Sequence, residues 1–278
     1  MRFEVLVSLS IPGDPKKPNE DSFAHTEGMV LVIDGATGLS TPLMPGPSDA
    51  HWIATFAARR IRAHSEEGGM PADWLLAAAR NTENSFTALR TRVPKEQYEI
   101  PFASLMLAAL EKGELHFAWF GDCAALLRTG SGVKMIGDTL ESRAAETIRA
   151  RKLSETPAAS GVREEYLPAL RASRNRVNTD GGDWLFAPDA SCAAHARQAV
   201  HPAQSGARLL LATDGFLALA ADYGRYTPGA LMEAAESKGL KALGQELRAI
   251  EASDPEGRAF PRFKRSDDAT ALLLALVA

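Results

Sequence analysis

Apolar and polar positions follow two spacings along this chain, one typical of strands and the other typical of helices. Residues 3–9 carry an apolar side chain at every second position, which indicates a half-buried β-strand. Further apolar runs of strand length lie at 28–34, 102–110, 114–122, 123–130, 183–188, 207–214 and 268–277. The three runs between residues 102 and 130 follow one another closely, and we predict that they form an antiparallel meander.

Segments of helix length fall into two groups. The first is a pair over 48–69 and 71–93, in which Ser48 is a candidate N-cap and a Gly-Gly turn joins the two helices. The second group lies at 140–153, 227–239 and 241–253. Strands and helices do not alternate, so a doubly wound parallel sheet is disfavoured. We expect antiparallel sheets with segregated helix pairs.

Composition narrows the classes of protein that fit. The chain has 278 residues and a net charge of −4, so it lacks the basic excess of a general nucleic-acid binder or of a membrane-surface patch. No apolar run approaches the roughly 20 residues of a membrane span. Cys123 and Cys192 form no C-x-x-C pair, and sparse cysteine is typical of a reducing compartment. We expect a soluble, cytoplasmic, monomeric protein with one domain over 1–278, and a flap at about 154–182, where the chain is polar and Arg-rich.

Acidic residues recur where the apolar strands end. They are Glu20 and Asp21, Asp34 before Gly35, Asp122 after Gly121, Asp214 before Gly215, and Asp267 and Asp268 at the start of the last strand. A single Asp-Gly is usually an ordinary turn, so only their joint occurrence is informative. Carboxylates brought together repel one another unless a cation lies between them. Hard divalent cations prefer oxygen ligands, and two such ions about 3.5–4 Å apart can clamp a phosphate.

These acidic positions belong to motifs whose order resembles that of a known family. The motifs are KKPNED at 16–21, DGATG at 34–38, GDC at 121–123, TDG at 213–215 and DDAT at 267–270. Together they resemble the metal-dependent protein phosphatases of type 2C, from near residue 13 to the last strand. The resemblance implies a four-layer αββα sandwich, in which helix pairs flank two antiparallel sheets. It also implies hydrolysis of phosphoserine and phosphothreonine in phosphorylated protein substrates, by a water that Mn²⁺ or Mg²⁺ activates.

The resemblance further implies a set of metal ligands: Asp34, Gly35, Asp214, Asp267, Glu20, Asp21 and Asp122. Asp34 would bridge two ions, and Asp214 and Asp267 would complete the first. The Gly35 carbonyl would help to hold the second, and the Glu-Asp pair of NED would bind it directly or through water. A third, weaker ion would lie between Asp122 and Asp214.

Three positions depart from the family pattern. Lys16 stands where the family has a phosphate-binding Arg, and lysine lacks the planar bidentate fork. Ala36 replaces a common His, and Cys123 replaces the usual Ser. Other cations that could replace the missing Arg are Lys17, Arg262, Lys264 and Arg265.

Two alternatives to a protein phosphatase therefore stay open. One is a phosphatase-fold protein that binds a partner or metal and turns over poorly, and the other is a hydrolase of small phosphoesters.

Overall fold

The computed structural model describes residues 1–137, 167–262 and 264–278. The helix expected over 140–153 and the first part of the expected flap, residues 154–166, lie outside this range. Within it, no helix combines the length and apolar character needed to cross a membrane.

The described strands form two five-stranded sheets in which all pairs are antiparallel. One sheet has the order β1-β10-β9-β6-β7 and the other has the order β2-β3-β4-β5-β8. The strands are β1 Arg2–Ile11, β2 Asp21–His25, β3 Met29–Gly35, β4 Ala103–Glu111, β5 Glu114–Phe120, β6 Ala124–Thr129, β7 Gly132–Gly137, β8 Arg197–Pro202, β9 Arg208–Ala212 and β10 Ala269–Val277.

The α-helices of the described residues are α1 Asp49–Glu66, α2 Pro71–Leu89, α3 Leu167–Arg174, α4 Asp214–Ala221, α5 Pro228–Ser237 and α6 Leu240–Ser253. Ser48 caps α1 as predicted, because its side chain accepts a hydrogen bond from the His51 backbone N–H. Helix α1 ends at Glu66 and α2 ends at Leu89, each earlier than the sequence pattern suggested.

Three apolar layers hold the elements together, and the period of two along each strand assigns side chains to them. In β3, Val30 and Val32 face the other sheet, whereas Leu31 and Ile33 pack beneath α1 and α2. In the sheet that contains β1, β10, β9, β6 and β7, the outward side chains pack against α4, α5 and α6. These three apolar regions separate four structural layers, in the order helices, sheet, sheet and helices. The arrangement confirms the predicted α+β sandwich of two antiparallel sheets flanked by helices.

Two predictions about strands were wrong. The runs between 102 and 130 do not form one meander, because β4 and β5 belong to one sheet and β6 pairs with β9 in the other. The chain changes sheets at Gly121, whose φ of 63° favours glycine. The run 183–188 contributes only an isolated bridge between Ala103 and Phe186. Strands β2, β7 and β8 were not predicted.

Candidate active site

The acidic strand ends lie at one end of the layer between the two sheets. The alternation that places Val30 and Val32 in this layer continues to Asp34. Asp21 lies directly opposite Asp34 on the neighbouring strand β2. From the other sheet, the hydroxyl of Thr213 reaches across and donates to Asp21 Oδ2 at 2.8 Å. The site is therefore a polar continuation of the apolar core, built from both sheets.

Asp34 is the carboxylate on which the others converge. Burial raises its pKa well above the ordinary value, and repulsion from Asp21, Asp214, Asp267 and Asp122 raises it further. These residues lie far apart along the chain, yet they come close enough to disfavour one another's negative charge. Among the predicted metal ligands, the structure thus brings together the five aspartates.

Asp21 is buried and only partly satisfied by hydrogen bonds. Its side chain is among the few charged groups in the described core, at 5% exposure. Its Oδ1 is buried and has no hydrogen-bond partner. Burial, followed by repulsion from Asp214 and Asp268, raises its pKa, against the hydrogen bond from Thr213. A buried carboxylate oxygen without a donor is an available ligand for a hard cation.

Glu20 is held from two sides by hydroxyl groups. Ser48 donates to Oε1 at 2.7 Å and Thr37 donates to Oε2 at 2.6 Å. The Glu20 carbonyl also accepts the backbone N–H of Gly35 at 3.0 Å. These bonds fix the Glu20 carboxylate between the start of α1 and the loop that follows β3.

The two aspartates that precede β10 have different surroundings. Asp268 accepts backbone N–H groups of Gly13 at 2.7 Å and Glu20 at 2.5 Å. It therefore fastens the loop that carries Glu20 and Asp21 to the start of β10. Asp267 is among the carboxylates that raise the pKa of Asp34, and its Oδ1 accepts the Lys264 ammonium at 2.8 Å.

Lys264 forms an ion pair with one carboxylate of the acidic cluster. Burial opposes its charge, but attraction to Asp267, and to Asp34 and Asp214 behind it, outweighs burial and raises its pKa. Arg262, from the same basic run, binds elsewhere. Its guanidinium donates to Asp254 Oδ2 at 3.0 Å and to nearby carbonyls.

Lys16, which stands at the position of the family's phosphate-binding Arg, is exposed on the loop before β2. Its backbone N–H donates to Asp14 Oδ1 at 3.0 Å. Within the described chain, its ammonium takes part in no ion pair and no hydrogen bond. The structure therefore does not bring Lys16 to the carboxylates in the way that it brings Lys264.

Helix α3 carries an arginine that the sequence analysis did not single out. Arg174 donates to the Thr37 carbonyl at 2.6 Å. Burial lowers its pKa to about 10, although the nearby Glu20 carboxylate acts in the opposite direction. Arg171, one turn earlier, donates to the Leu39 carbonyl at 2.7 Å. The signal in the sequence was the arginine content of 154–182, but an eight-residue helix gives too little periodicity to show which arginine faces the site.

Both Asp-Gly corners need glycine because another backbone passes close by. A Cβ on Gly35 would overlap the Ala50 carbonyl at the start of α1. A Cβ on Gly215 would overlap the Asp268 carbonyl before β10. Asp214 is the first residue of α4, and its Oδ1 accepts the Gly215 N–H at 2.6 Å.

The donor chemistry of the cluster suits a hard divalent cation. The acidic side chains offer only oxygen atoms, they repel one another, and one of those atoms is buried without a donor. Within residues 1–137, 167–262 and 264–278, however, no group of three or more His, Cys, Asp or Glu side chains that could hold a metal ion is found.

The architecture is that of known phosphatases. No protein-family model and no curated protein matches the chain. Among solved structures, the serine/threonine phosphatase PstP/Ppp of Mycobacterium tuberculosis matches with a TM-score of 0.60 at 14% identity, over 100% of both chains. The PstP catalytic domain with two manganese ions gives 0.55 at 15%, over 100% of this chain and 99% of that one. The PPM phosphatase MsPP of Mycobacterium smegmatis gives 0.57 at 17%, over 98% and 99%. The chain therefore has the fold of the type 2C serine/threonine phosphatases.

Proposed function

We propose that this protein is a Mn²⁺- or Mg²⁺-dependent phosphatase that acts on phosphoserine and phosphothreonine in proteins. The observation that carries the proposal is the convergence of carboxylates from both sheets on Asp34, whose pKa they raise. Such a cluster costs folding free energy unless cations neutralise it. The fold supports the same conclusion, as does the presence of two manganese ions in the PstP structure.

The residues that would hold the ions are those that the resemblance assigned. Asp34, Asp214 and Asp267 would share the first ion, and Gly35, Glu20 and Asp21 would hold the second. Asp122, which also raises the pKa of Asp34, would hold a third ion together with Asp214. When bound, such ions supply positive charge for the phosphate and lower the pKa of an attacking water.

Other residues of the chain would position this machinery. Asp268 fixes the backbone of Glu20, and Ser48 and Thr37 orient the Glu20 carboxylate. Lys264 and Arg174 are two positive charges held beside the proposed ligands Asp267 and Glu20. We assign phosphate binding to these two residues in preference to Lys16, since a buried or partly buried cation is screened less by solvent than an exposed one.

The broader organisation follows from the same assignment. We propose that residues 1–278 form one domain, and that α3 belongs to the described part of the flap, residues 167–182. A phosphoprotein substrate, a monomeric state and a cytoplasmic location remain predictions, as does the absence of nucleic-acid and membrane partners. The exposed position of Lys16 favours one alternative, a phosphatase-fold binding protein with slow turnover. A small phosphoester as substrate is the other alternative.

The proposal is tested by hydrolysis of p-nitrophenyl phosphate and of phosphopeptides with Mn²⁺, with Mg²⁺ and with a chelator. We expect turnover of both substrates that the chelator abolishes and added metal restores. Asp180→Asn, an exposed substitution in a turn, is the matched control. If metal-dependent turnover is found with small phosphoesters and not with phosphopeptides, the protein substrate is contradicted and the small-phosphoester alternative is supported. Metal binding without turnover would support the binding protein.

A further inference from the structure

A groove of about 550 Å³ lies between α1 and the edge of strand β2. Residues 22–25 of β2 form one wall. His51, Thr55, Arg59 and Arg62 from α1 contribute to the opposite wall. None of the residues that line it belongs to the proposed metal site.

The groove begins at the acidic cluster. Strand β2 starts at Asp21, so Ser22 is the next residue after a proposed metal ligand. On the helix side, His51 Nδ1 lies 2.7 Å from the Asn19 carbonyl. Arg59 and Arg62 follow His51 by eight and eleven residues, which places them about 12 Å and about 17 Å further along the helix axis. The groove therefore leads from the site to the two arginines.

Strand β2 can accept another strand along this groove. It pairs with β3 on one side, and it stands at the edge of its sheet in the described strand order. An edge strand presents alternate backbone N–H and C=O groups that an extended peptide can pair with. Such pairing holds a peptide in register, and side chains on the facing wall then select its sequence.

The charges of the groove select acidic side chains. Its described lining contains two arginines and two histidines but no carboxylate, although the whole chain carries a net charge of −4. Arg59 is exposed, and its guanidinium donates to the Thr55 carbonyl at 3.2 Å. Arg62 pairs with Glu66 in a bond in which both side chains are more than half exposed. Exposed pairs of this kind are weak, so a substrate carboxylate can compete for Arg62.

We propose that this groove binds an extended acidic segment of the phosphoprotein substrate, next to the phosphorylated residue. The inference rests on the proposed function and specifies its substrate class. An extended chain rises about 3.3 Å per residue. The distances of about 12 Å and about 17 Å from His51 to Arg59 and Arg62 therefore correspond to about four or five residues of a bound peptide. The preferred substrates carry Asp or Glu at that separation from the phosphoserine or phosphothreonine.

The test compares two phosphopeptides that differ only at positions four and five residues from the phosphoserine, with Glu in one and Gln in the other. We expect the wild-type protein to show a KM lower by about threefold to tenfold for the Glu peptide, since two exposed charge pairs contribute. The double variant Arg59→Ala, Arg62→Ala should lose this preference. Its hydrolysis of p-nitrophenyl phosphate should remain unchanged, because neither arginine belongs to the proposed catalytic machinery.

Arg60→Ala is the matched control. Arg60 is exposed on the same helix, but its guanidinium lies over the Phe56 ring and outside the groove lining. The inference is overturned if the wild-type protein does not distinguish the peptides, or if Arg60→Ala changes the preference as much as the double variant does.

A binding measurement separates this inference from the proposed catalysis. Fluorescence anisotropy with a labelled, unphosphorylated Glu peptide should give tighter binding to wild type than to the double variant. If that difference appears while p-nitrophenyl phosphate is not hydrolysed, the inference about the groove is supported and the proposed activity is contradicted. If hydrolysis is normal and the anisotropy difference is absent, the groove inference fails alone.

Discussion

The two Asp-Gly corners have the same sequence but different electrostatic surroundings. Asp214 lies in the first turn of α4, accepts the Gly215 N–H at 2.6 Å, and benefits from the partial positive charge at a helix N-terminus. Asp34 ends a strand, faces Asp21 across the ladder, and has its pKa raised by burial and by its acidic neighbours. The Asp214 corner therefore offers its carboxylate a local donor, whereas the Asp34 corner surrounds its carboxylate with acidic neighbours.

The largest expected effect is a loss of turnover that the two corners share, and a difference in stability then distinguishes them. Asp34→Asn and Asp214→Asn should each lower metal-dependent turnover by roughly 100- to 1,000-fold, as expected for removal of a charge-stabilising group. In the metal-free protein, Asp34→Asn should raise the free energy of unfolding by about 1–2 kcal/mol, because it relieves repulsion. Asp214→Asn should raise it less, because it relieves repulsion from Asp34 and Asp21 but weakens the local interaction with the Gly215 N–H and the helix N-terminus. Turnover and urea unfolding with chelator measure both effects, and equal stability changes would contradict the comparison.

The glycines test what the corners share. Gly35→Ala and Gly215→Ala should each destabilise the protein by about 1–3 kcal/mol, because the added methyl group overlaps a backbone carbonyl that cannot rotate away. Gly28→Ala is the control, since a Cβ there meets nothing within 4 Å. The differences are measured from the urea concentrations at the midpoints of unfolding, compared between variants with the same dependence of the free energy of unfolding on urea. A neutral Gly35→Ala would show that the Asp34 corner is less tightly packed than described.

The pH dependence of the metal-free protein should reflect the Asp34 side of the comparison. The pKa values of Asp34, Asp21 and Asp268 are raised by burial and acidic neighbours. Their favourable contribution is complete below the unfolded value of about 4 and is lost as pH rises through the folded values. The free energy of unfolding should therefore fall with rising pH in chelator. Asp34→Asn should flatten this fall, and saturating Mn²⁺ should reduce it.

The smallest expected effects concern two cations, Lys264 beside the acidic cluster and Lys16 on the exposed loop before β2. Lys264→Ala should raise the KM for p-nitrophenyl phosphate severalfold, because the Lys264 ammonium binds Asp267 and attracts Asp34 and Asp214. Lys16→Ala should leave KM within about twofold, since its exposed charge is screened by solvent. Steady-state kinetics with Mn²⁺ measure both variants. A larger effect at Lys16 would restore it as the phosphate-binding residue.

Apolar spacing predicted antiparallel sheets with segregated helix pairs, because it reflects which side chains are buried, and the resemblance to the type 2C phosphatases added the four-layer arrangement. In β3, the period of two separates the side chains between the sheets from those under the helices, and it places Asp34 on the inner face. The passage of the chain from one sheet to the other at Gly121 could not be predicted from the sequence, because a glycine indicates a turn without indicating which sheet the next strand joins. Strand β2 was missed because it is only five residues long and begins within polar NED.

The candidate site was predictable only in part. Motif order pointed to Asp34, Asp214 and Asp267, and the structure brings these side chains close together. The sequence did not show that Lys264 would pair with Asp267 or that Arg174 would approach Glu20. Both contacts depend on how loops and a short helix return to the strand ends, and that path leaves no periodic signal.

The position of β10 affects when the fold can be completed during synthesis on the ribosome. Although β10 is the last described strand to leave the exit tunnel, it lies between β1 and β9 and supplies the sheet partner of β1. The carboxylate of Asp268 just before it also fastens Glu20. A nascent chain that lacks Asp268 and β10 therefore leaves β1 and β9 without their shared sheet partner and Glu20 without the Asp268 carboxylate, so this part of the fold forms only after the strand has been synthesised.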